Sequence, residues 1–218
     1  MLEFENINKT FQVKQGTVEA LKNISLQLDQ GEFLVVNGPS GCGKTTLLLV
    51  AGSLLHPTEG SVKIDGKDPY KMDNKQRNLL RANTIGFVFQ QFHLIPYLNV
   101  RENIISPMLA SGENGSAGRV EELAEHFGLT DRLEHYPYQM SMGEKQRTAL
   151  ARALYNKPGI ILADEPTGNL DEDNADILFS YLREYTREGG SVLLVSHDRK
   201  SVHYGTRLLN MKKGEIPD

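Results

Sequence analysis

The sequence has no tryptophan, a single cysteine and no long apolar run, and aromatic residues make up 7% of its 218 residues. One cysteine, Cys42, excludes an internal disulfide and a cysteine-rich zinc site, and it fits a reducing compartment. The longest apolar stretches span four to five residues, as at 33–36 and 47–51, whereas a helix that crosses a bilayer needs about 20. The first residues, MLEFENINKTF, lack a basic segment followed by an apolar one, so we expect no signal peptide and a cytoplasmic protein.

The sequence also lacks an excess of positive charge. Its 24 Lys and Arg residues stand against 28 Asp and Glu residues, which gives a formal net charge of −4, whereas a dedicated nucleic-acid-binding domain usually has a basic surface. Glycine and proline, at 20 and 9 residues, occur at ordinary levels, and this excludes collagen-like, low-complexity and disordered chains. With 39% hydrophobic residues, the length suits one large domain or two small ones with a substantial core.

Strand and helix patterns alternate toward both ends of the chain and give way to helical patterns in its middle. The patterns predict strands at 2–7, 20–28, 32–37, 61–64, 84–89, 160–163, 191–195 and 207–211, and helices at 45–55, 172–188 and 199–204. Between about 99 and 154, helical segments are separated by Gly, Ser and Asn residues, with one break at 111–118. Because such alternation is typical of a parallel sheet with crossover helices, we expect an α/β protein with a mostly helical insertion.

A glycine-rich loop at 38–45 reads GPSGCGKT and matches G-x-x-x-x-G-K-[ST] between a predicted strand and a predicted helix. Glycines let backbone N–H groups turn inward toward phosphate oxygens, and the helix N-terminus adds its positive dipole end. The loop therefore predicts an ATP site, in which Lys44 binds the β- and γ-phosphates and Thr45 offers a hydroxyl to Mg²⁺. A simple glycine-rich turn is the alternative, which this context disfavours. The predicted ATP-binding residues are Gly38, Pro39, Ser40, Gly41, Cys42, Gly43, Lys44, Thr45 and Thr46.

Two carboxylates follow an apolar strand in the segment IILADE at 160–165. Asp164 at the strand end is placed to bind Mg²⁺, and Glu165 is placed to orient or deprotonate an attacking water. Because side chains alternate along a strand, we expect the two carboxylates to face different partners; a solvated Asp-Glu pair is the plainer alternative. His197 follows another strand and so reaches the ligand edge of the sheet, where its ring can donate to a γ-phosphate, although a single His is more often incidental.

The chain resembles the nucleotide-binding subunit of ATP-binding cassette (ABC) transporters over essentially its whole length. These sites and the further motifs described below occur in the order found in that family. The resemblance implies that Phe11 stacks on adenine, that Gln90 in GFVFQQF senses the γ-phosphate and Mg²⁺, and that Asp171 in GNLD lies at a dimer interface. It also implies that His197 is the family's switch histidine. The implied catalytic residues are Glu165, His197, Lys44 and Gln90, and the implied Mg²⁺ ligands are Thr45, Gln90 and Asp164.

The segment MSMGE at 140–144 resembles the signature of this family, which usually reads LSGGQ or LSGGE. Ser141 and Glu144 form a predicted capping box at the start of a helix that runs to residue 154, and a capped helix N-terminus attracts anions. One interpretation is that the segment is only a helix start. The resemblance implies instead that Ser141, Met142, Gly143 and Glu144 contact ATP bound by the other subunit, so that hydrolysis needs a dimer. Met142 replaces the first glycine of the motif. Its bulk, and its exclusion of a positive φ there, predict a weakened but not abolished nucleotide sandwich.

The stretch GFVFQQFHLIPYLNVRENI at 86–104 and the block DEPTGNLD at 164–171 are most similar to the small ATPases of the lipoprotein-releasing and macrolide-export type. The resemblance implies a permease partner whose cytoplasmic element docks on apolar and aromatic residues after Gln90. These residues are Phe92, Leu94, Ile95, Pro96 and Tyr97. Ordinary core packing is the alternative for this segment, because Leu94 and Ile95 are of the types that proteins bury.

The fold class that follows is α/β, a P-loop NTPase core with a mixed, largely parallel sheet, an N-terminal antiparallel β part and a helical insertion. We expect one ABC ATPase domain at 1–218, with its core at 1–94 and 158–218 and its helical subdomain at about 95–157. The resemblance implies an ATPase that powers export or extraction of a lipoprotein, peptide or drug at the inner face of the cell membrane. Its partners would be a second copy or a homologous ATPase subunit and an integral permease. Two alternatives stay open: an ATP-dependent regulatory partner of a cell-division type complex, and a soluble ABC ATPase that acts on nucleic acid.

Overall fold

The computed structural model describes residues 1–14, 16–111 and 118–217, and these form two sheets with helices around them. The strands are β1 Leu2–Val13, β2 Gly16–Leu28, β3 Phe33–Asn37, β4 Glu59–Ile64, β5 Ile85–Phe89, β6 Ile160–Asp164, β7 Ser191–Ser196 and β8 Arg207–Asn210. The α-helices are α1 Lys44–Ala51, α2 Asn74–Thr84, α3 Val100–Ile105, α4 Met108–Ser111, α5 Arg119–His126, α6 Met142–Leu154 and α7 Glu172–Arg187. Short 3-10 helices lie at Pro69–Lys71, Thr130–Arg132, Pro137–Gln139 and Arg199–His203.

The larger sheet has the strand order β5-β6-β7-β3-β8, and each neighbouring pair in it is parallel. Strands β3, β5, β6 and β7 are largely apolar on both faces because each face is covered by other elements, whereas the edge strand β8 is mostly exposed. Leu34 and Val36 of β3 pack with α1 and the smaller sheet, whereas Phe33 and Val35 pack with α6 and α7 on the opposite face. This arrangement confirms the α/β fold class predicted from the alternating patterns.

The smaller sheet has the order β2-β1-β4 and is antiparallel, as predicted for the N-terminal part. Its first two strands are longer than the sequence pattern indicates, since β1 continues to Val13 and β2 begins at Gly16. The pairing shifts register between Phe4 and Ile7, and Asn6 takes a positive φ of 51°. Such an irregularity interrupts the alternation of apolar and polar residues, so the pattern ends at Ile7 although the strand does not.

Helices α3 to α6 occupy the chain between β5 and β6, and the described residues of 95–157 include no strand. Val100 and Ile104 of α3 pack with Leu150 of α6 in the same core cluster as the residues of α7. The limits of a separate helical subdomain at about 95–157 stay a prediction. The break predicted at 111–118 falls mostly on residues 112–117, which lie outside the described residues.

Helix α2 lies where the sequence patterns predict no element. Asp73 accepts a hydrogen bond from the Gln76 backbone N–H, and the Gln76 side chain accepts one from the Asp73 N–H, which together form a capping box. An aspartate followed three residues later by a glutamine is a recognised helix start. The sequence therefore carried a signal for this helix that the apolar pattern alone did not reveal.

Helix α1 is shorter than predicted and ends at Ala51 instead of residue 55. A Cβ at Gly52 would lie 2.1 Å from the Phe87 ring, and Ser53 turns to a φ of 54°. The helix ends in local hydrogen bonds, with Gly52 N–H donating to Leu48 O and Leu54 N–H to Leu49 O, both at 2.9 Å. Glycine at this point is a local stop signal, so the sequence did mark the end of the helix. The short helix predicted at 199–204 is the 3-10 helix at Arg199–His203.

Candidate active site

The glycine-rich loop joins β3 to α1 at the carboxyl edge of the parallel sheet. Gly41 and Gly43 take positive φ values of 76° and 110°, which residues with a Cβ rarely adopt. A Cβ at Gly38 would lie 2.3 Å from Met211 O, and one at Gly43 would lie 2.3 Å from Ala20 O. The loop thus needs glycine both for its backbone conformation and for the close approach of two distant segments.

Lys44 is the first residue of α1, and only 5% of its surface is exposed. Its Nζ donates to Gly38 O at 2.8 Å and to Pro39 O at 3.1 Å, and it lies 3.4 Å from Glu165 Oε1. The buried ammonium is thereby fixed between the loop and a carboxylate. Phosphate oxygens of a bound nucleotide can replace these acceptors, since charge-assisted hydrogen bonds to phosphate are the stronger ones.

Asp164, the last residue of β6, accepts a hydrogen bond from Thr45 Oγ1 at 3.2 Å. Burial raises the pKa of Asp164 above its ordinary value, although the Thr45 hydrogen bond acts against this shift. A raised pKa marks a buried carboxylate whose charge is incompletely compensated. Mg²⁺ is usually held by one or two carboxylates together with substrate phosphates. The Asp164 carboxylate and the Thr45 hydroxyl fit that chemistry.

Glu165 lies directly after β6, and its two carboxylate oxygens have different partners. Oε2 lies 2.7 Å from His197 Nδ1, and Oε1 faces Lys44 Nζ. The Glu165 N–H donates to Val195 O at 2.9 Å, and a φ of 43° turns the chain out of the strand. Asp164 and Glu165 therefore face different partners because of this turn, and not because of the strand alternation expected from the sequence.

The loop borders a cavity of about 390 Å³. Besides residues 40–46 of the loop and α1, the lining residues are Val18, Glu19, Ala20, Lys22, Glu165, Lys213 and Gly214. The sequence did not predict that β2 and the turn after β8 line this cavity, because no motif marks those residues. The Gly214 N–H donates to Cys42 O at 2.9 Å, so the fold itself brings that turn onto the loop.

Phe11, predicted to stack on adenine, lies in β1 opposite Val18, which lines the cavity. Its side chain is 36% exposed, and Lys9 Nζ lies 5.2 Å from the ring centroid. Phe11 is not itself among the described lining residues. Its contact with adenine stays a prediction.

Gln90 directly follows β5, whose last residue, Phe89, pairs with Asp164. The Gln90 side chain packs against Gly168, where a Cβ would lie 2.5 Å from Nε2. The Gln90 carbonyl accepts a hydrogen bond from Asn169 Nδ2 at 2.8 Å. Gln90 is therefore joined to the loop that follows β6, while its role as a Mg²⁺ ligand stays a prediction.

The predicted signature begins α6, and none of its residues lines the 390 Å³ cavity. Ser141 Oγ accepts from the Glu144 N–H at 3.3 Å, and Glu144 Oε2 accepts from the Ser141 N–H at 2.8 Å, which confirms the capping box. Arg132 Nε also donates to Glu144 Oε1 at 2.7 Å. The Arg132 hydrogen bond is the main cause that lowers the pKa of Glu144 to about 2. No signal in the sequence pointed to Arg132, because the pair joins two separate segments.

Met142 is the first residue of α6, and its φ is not positive. This backbone agrees with the expectation that Met142 excludes a positive φ there, and its side chain is 45% exposed. Its effect on the nucleotide sandwich stays a prediction. Gly143 is buried instead, and a Cβ there would lie 2.4 Å from Asn174 Oδ1. Asn174 Nδ2 in turn donates to both oxygens of Asp171, which caps α7. The predicted signature and the predicted interface aspartate are thus linked within one chain.

A larger cavity of about 890 Å³, here called the α2–α6 groove, lies between α2, β5, α4 and α6. Its apolar lining residues include Leu54, Leu79, Ile85, Phe87, Phe89, Pro107 and Leu109, and its basic lining residues are Lys75, Arg81, His93 and Arg152. None of the five residues predicted to dock a permease lines it. Phe92 is buried, Leu94 and Ile95 are partly buried, and only Pro96 and Tyr97 are exposed. The prediction that Phe92 docks a permease is therefore wrong, because Phe92 packs inside the fold.

Residues 21–168 match the sequence profile of the ABC transporter family. The chain belongs to that family. This cassette is 43% identical over 218 residues to the lipoprotein-releasing system ATP-binding protein of Aquifex aeolicus, with 99% of this chain and 96% of that protein covered. It is 38% identical over 219 residues to the macrolide export ATP-binding/permease protein of Chlorobaculum tepidum, with 100% of this chain and 34% of that protein covered. These relatives confirm the resemblance to the nucleotide-binding subunits of lipoprotein-releasing and macrolide-export type.

The ABC cassette also has close structural relatives. A dimeric ATP-binding cassette of Methanocaldococcus jannaschii, bound to ADP and phosphate in a post-hydrolysis state, superposes with a TM-score of 0.93 at 37% identity and covers 100% of this chain and 97% of its own. This similarity confirms the P-loop fold class. Within the described ranges of the cassette, no helix combines the length and the apolar character needed to cross a bilayer.

Proposed function

We propose that this cassette binds and hydrolyses ATP and drives a membrane transporter that exports or extracts a lipoprotein, peptide or drug. The observation that carries the proposal is the meeting of Lys44 and His197 on the two oxygens of Glu165, at 3.4 and 2.7 Å. Three separate segments thereby place a cation, a carboxylate and an imidazole beside one phosphate-binding loop. The relatives named for lipoprotein release and macrolide export support the transporter class. They do not favour the regulatory or nucleic-acid alternatives.

In the proposed reaction, the triphosphate lies on the glycine loop, and Lys44 Nζ exchanges carbonyl acceptors for oxygens of the β- and γ-phosphates. Glu165 takes a proton from a water molecule as the water oxygen bonds to the γ-phosphorus. The bond from that phosphorus to the β-γ bridging oxygen breaks, and ADP leaves with the electron pair. With both ring nitrogens protonated, His197 would keep the Glu165 carboxylate oriented through Nδ1 and offer the Nε2 N–H to the γ-phosphate.

Mg²⁺ would be held by Thr45, Asp164 and Gln90, together with phosphate oxygens of the nucleotide. When bound, it neutralises negative charge on the phosphates. The paired Thr45 hydroxyl and Asp164 carboxylate support this assignment, because they already converge at 3.2 Å. Gln90 approaches from the neighbouring strand end.

A complete site would need a second copy of the chain or a homologous ATPase subunit. The segment Ser141–Glu144 begins a capped helix and does not line the cavity of its own chain. Both observations support a contact between this helix start and the γ-phosphate of ATP on a partner. Asp171 would lie at the same interface, and Phe11 would stack on adenine within its own chain. The dimeric state of the related cassette supports this arrangement.

The transport step would come from an integral permease, to which the cassette binds at the inner face of the cell membrane. Dimer closure around ATP and reopening after hydrolysis would move the permease. The α2–α6 groove supports this part of the proposal, because a cavity of about 890 Å³ with an exposed leucine at 109 is open on the surface.

The proposal is tested by the ATPase rate of the purified cassette, alone and with its permease, and of Glu165→Gln. Loss of the base is expected to lower the rate by at least about 100-fold, while ATP binding persists and an ATP-dependent dimer accumulates. Glu125→Gln, at an exposed carboxylate on α5, is the matched control and should keep the wild-type rate. A Glu165→Gln variant that turns over like the wild type would remove Glu165 as the base. A wild-type protein that binds ATP without turnover in both settings would overturn hydrolysis itself.

A further inference from the structure

The contact between His197 and Glu165 joins two separate segments of the chain. His197 Nδ1 lies 2.7 Å from Glu165 Oε2, and the His197 side chain is 60% exposed. An exposed pair of this kind contributes little free energy, because water competes for both partners. The contact is therefore too weak to fix its own geometry. The distance between the two side chains depends on what holds the two backbone segments in place.

The residues on either side of His197 form a compact turn. The Asp198 N–H donates to Ser196 Oγ at 2.9 Å, and Ser201 Oγ donates to Asp198 O at 2.6 Å. Ser201 is buried and lies in the 3-10 helix that follows. Residues 196–204, here called the His197 segment, are thereby held together by hydrogen bonds. A shift of the 3-10 helix would carry His197 with it.

Tyr204 follows this 3-10 helix and joins the His197 segment to α7. Its hydroxyl donates to Asp176 Oδ1 at 3.0 Å, and its ring stacks on Phe179 with the centroids 4.7 Å apart and the planes at 24°. Phe179 is fully buried, so the Tyr204 ring lies on a fixed surface of the core. A stacked ring can slide, whereas a hydrogen bond is directional. The hydroxyl therefore sets where the segment lies along α7.

Lys200 supplies a second contact between the His197 segment and α7. Its Nζ forms an ion pair with Glu172, in the first turn of the helix. Both side chains are exposed, so water and salt weaken this pair. Tyr204 provides the stronger constraint, because its contact includes a ring packed on the buried core.

The loop that carries Glu165 leads to the same helix. The Gly168 N–H donates to Glu165 O at 3.1 Å, which turns the chain directly after the carboxylate. The loop ends at Asp171, which caps α7 by accepting from the Asn174 N–H at 2.9 Å. Glu165 and His197 thus lie on two short segments that both meet the first half of α7. The helix is the common support that fixes one segment relative to the other.

We propose that Tyr204 is a positioning residue for ATP hydrolysis, which keeps His197 beside Glu165 by fixing the His197 segment on α7. The inference rests on the proposed ATPase function and adds a residue that is not among the described residues lining the nucleotide cavity. Loss of the hydrogen bond to Asp176 is expected to let the segment shift over Phe179. The distance between His197 and Glu165 would then lengthen, while the phosphate loop stays as it is.

The kinetic test compares kcat with the Kd for ATP. Tyr204→Phe removes the hydroxyl but keeps the stacked ring, and it is expected to lower kcat about threefold to tenfold while the Kd changes less than about twofold. Asp176→Asn still offers an acceptor and should keep at least about half of the wild-type kcat. Tyr185→Phe is the matched control, because it removes a hydroxyl that donates to Pro158 O at 2.6 Å at the other end of α7. It should lower the melting temperature without lowering kcat.

The geometry is tested separately, without ATP, by the nitrogen NMR signals of the His197 ring in histidine-labelled protein. His197→Gln assigns these signals, and Glu165→Ala gives the change that marks a lost contact. Tyr204→Phe should move the His197 signals part of the way in that direction, whereas Tyr185→Phe should leave them in place. A wild type without ATP turnover would overturn the proposed function, and the NMR result would still decide the positioning role.

Four results would overturn the inference. They are an unchanged kcat in Tyr204→Phe, an equal loss of kcat in Tyr185→Phe, a loss in Asp176→Asn as large as in Tyr204→Phe, and His197 signals that do not move in Tyr204→Phe. Melting temperatures measured beside the rates show that the variants fold. An equal loss in both tyrosine variants would mean that lowered stability alone explains the slower turnover.

Discussion

Arg132 donates from Nε to Glu144 Oε1 at 2.7 Å, and this ion pair lies on the first turn of α6. The other carboxylate oxygen accepts from the Ser141 N–H at 2.8 Å, so Glu144 is held on both sides. The charge of the Glu144 carboxylate is therefore compensated beside the free N–H groups at the start of α6. Under the proposed function, such a helix start would attract the phosphate of a nucleotide on a partner subunit.

Arg132→Gln is expected to weaken ATP-dependent dimerisation by about threefold to tenfold, because the released Glu144 charge would repel the γ-phosphate. Adding Glu144→Gln should restore dimerisation, since the amide oxygen still accepts from Ser141 but carries no charge. Dimerisation of the Glu165→Gln background measures both effects by analytical ultracentrifugation. Arg101→Gln, which breaks a surface pair with Glu134, should change nothing. A double variant as weak as Arg132→Gln alone would contradict the electrostatic explanation.

The acid dependence of stability follows from the same carboxylate. The pKa of Glu144 is lowered from 4.5 to about 2. A lowered pKa in the folded state adds stability that is complete above pH 4.5 and is lost as the pH falls toward 2. The difference in unfolding free energy between the wild type and Glu144→Gln should therefore shrink over that window. Urea denaturation at stepped pH measures it, and a difference independent of pH would refute the prediction.

Removing the Met142 side chain is expected to raise ATP turnover, by about threefold, because in the proposed dimer its exposed bulk would stand where the phosphate approaches α6. Met142→Gly should also lower the unfolding free energy by about 0.5–1 kcal/mol, since glycine is a poor helix former. Met142→Ala removes most of the bulk without that helix penalty and should match Met142→Gly in turnover. Steady-state ATPase rates decide the point. Unchanged rates in both variants would show that Met142 does not limit the nucleotide sandwich.

Gly143→Ala is expected to lower the unfolding free energy by about 1–2 kcal/mol, because the new Cβ must displace Asn174 Oδ1. The displaced Asn174 would also lose its contacts with Asp171, so ATP-dependent dimerisation should fall as well. Asn174→Ala removes the colliding atom. The combined variant should then be less destabilised than the sum of the two single changes, as measured by urea denaturation. Strict additivity would show that the close approach is not the cause.

Local motifs carried most of the information about the nucleotide site. The glycine loop could be predicted because the positive φ values at Gly41 and Gly43 are a local requirement that only neighbouring residues set. The capping box of Ser141 and Glu144 could also be predicted, because its two residues lie three positions apart in the sequence. The end of α1 was predicted too late although Gly52 marks it locally. By contrast, the pair of Arg132 and Glu144 could not be predicted, because it joins two separate segments. Contacts between residues far apart in sequence leave no local pattern.

By itself, the sequence determined the α/β fold class, the phosphate loop, the acid pair and the membership of the ABC family, since each depends on contiguous residues with local backbone or capping requirements. Only the tertiary structure decided which groups meet. It placed Lys44 and His197 on opposite oxygens of Glu165, paired Arg132 with Glu144, and gathered Arg81 and Arg152 into a groove without described carboxylates. These pairings depend on how helices pack across the two faces of the sheet. That packing is set by the whole core and not by any single segment.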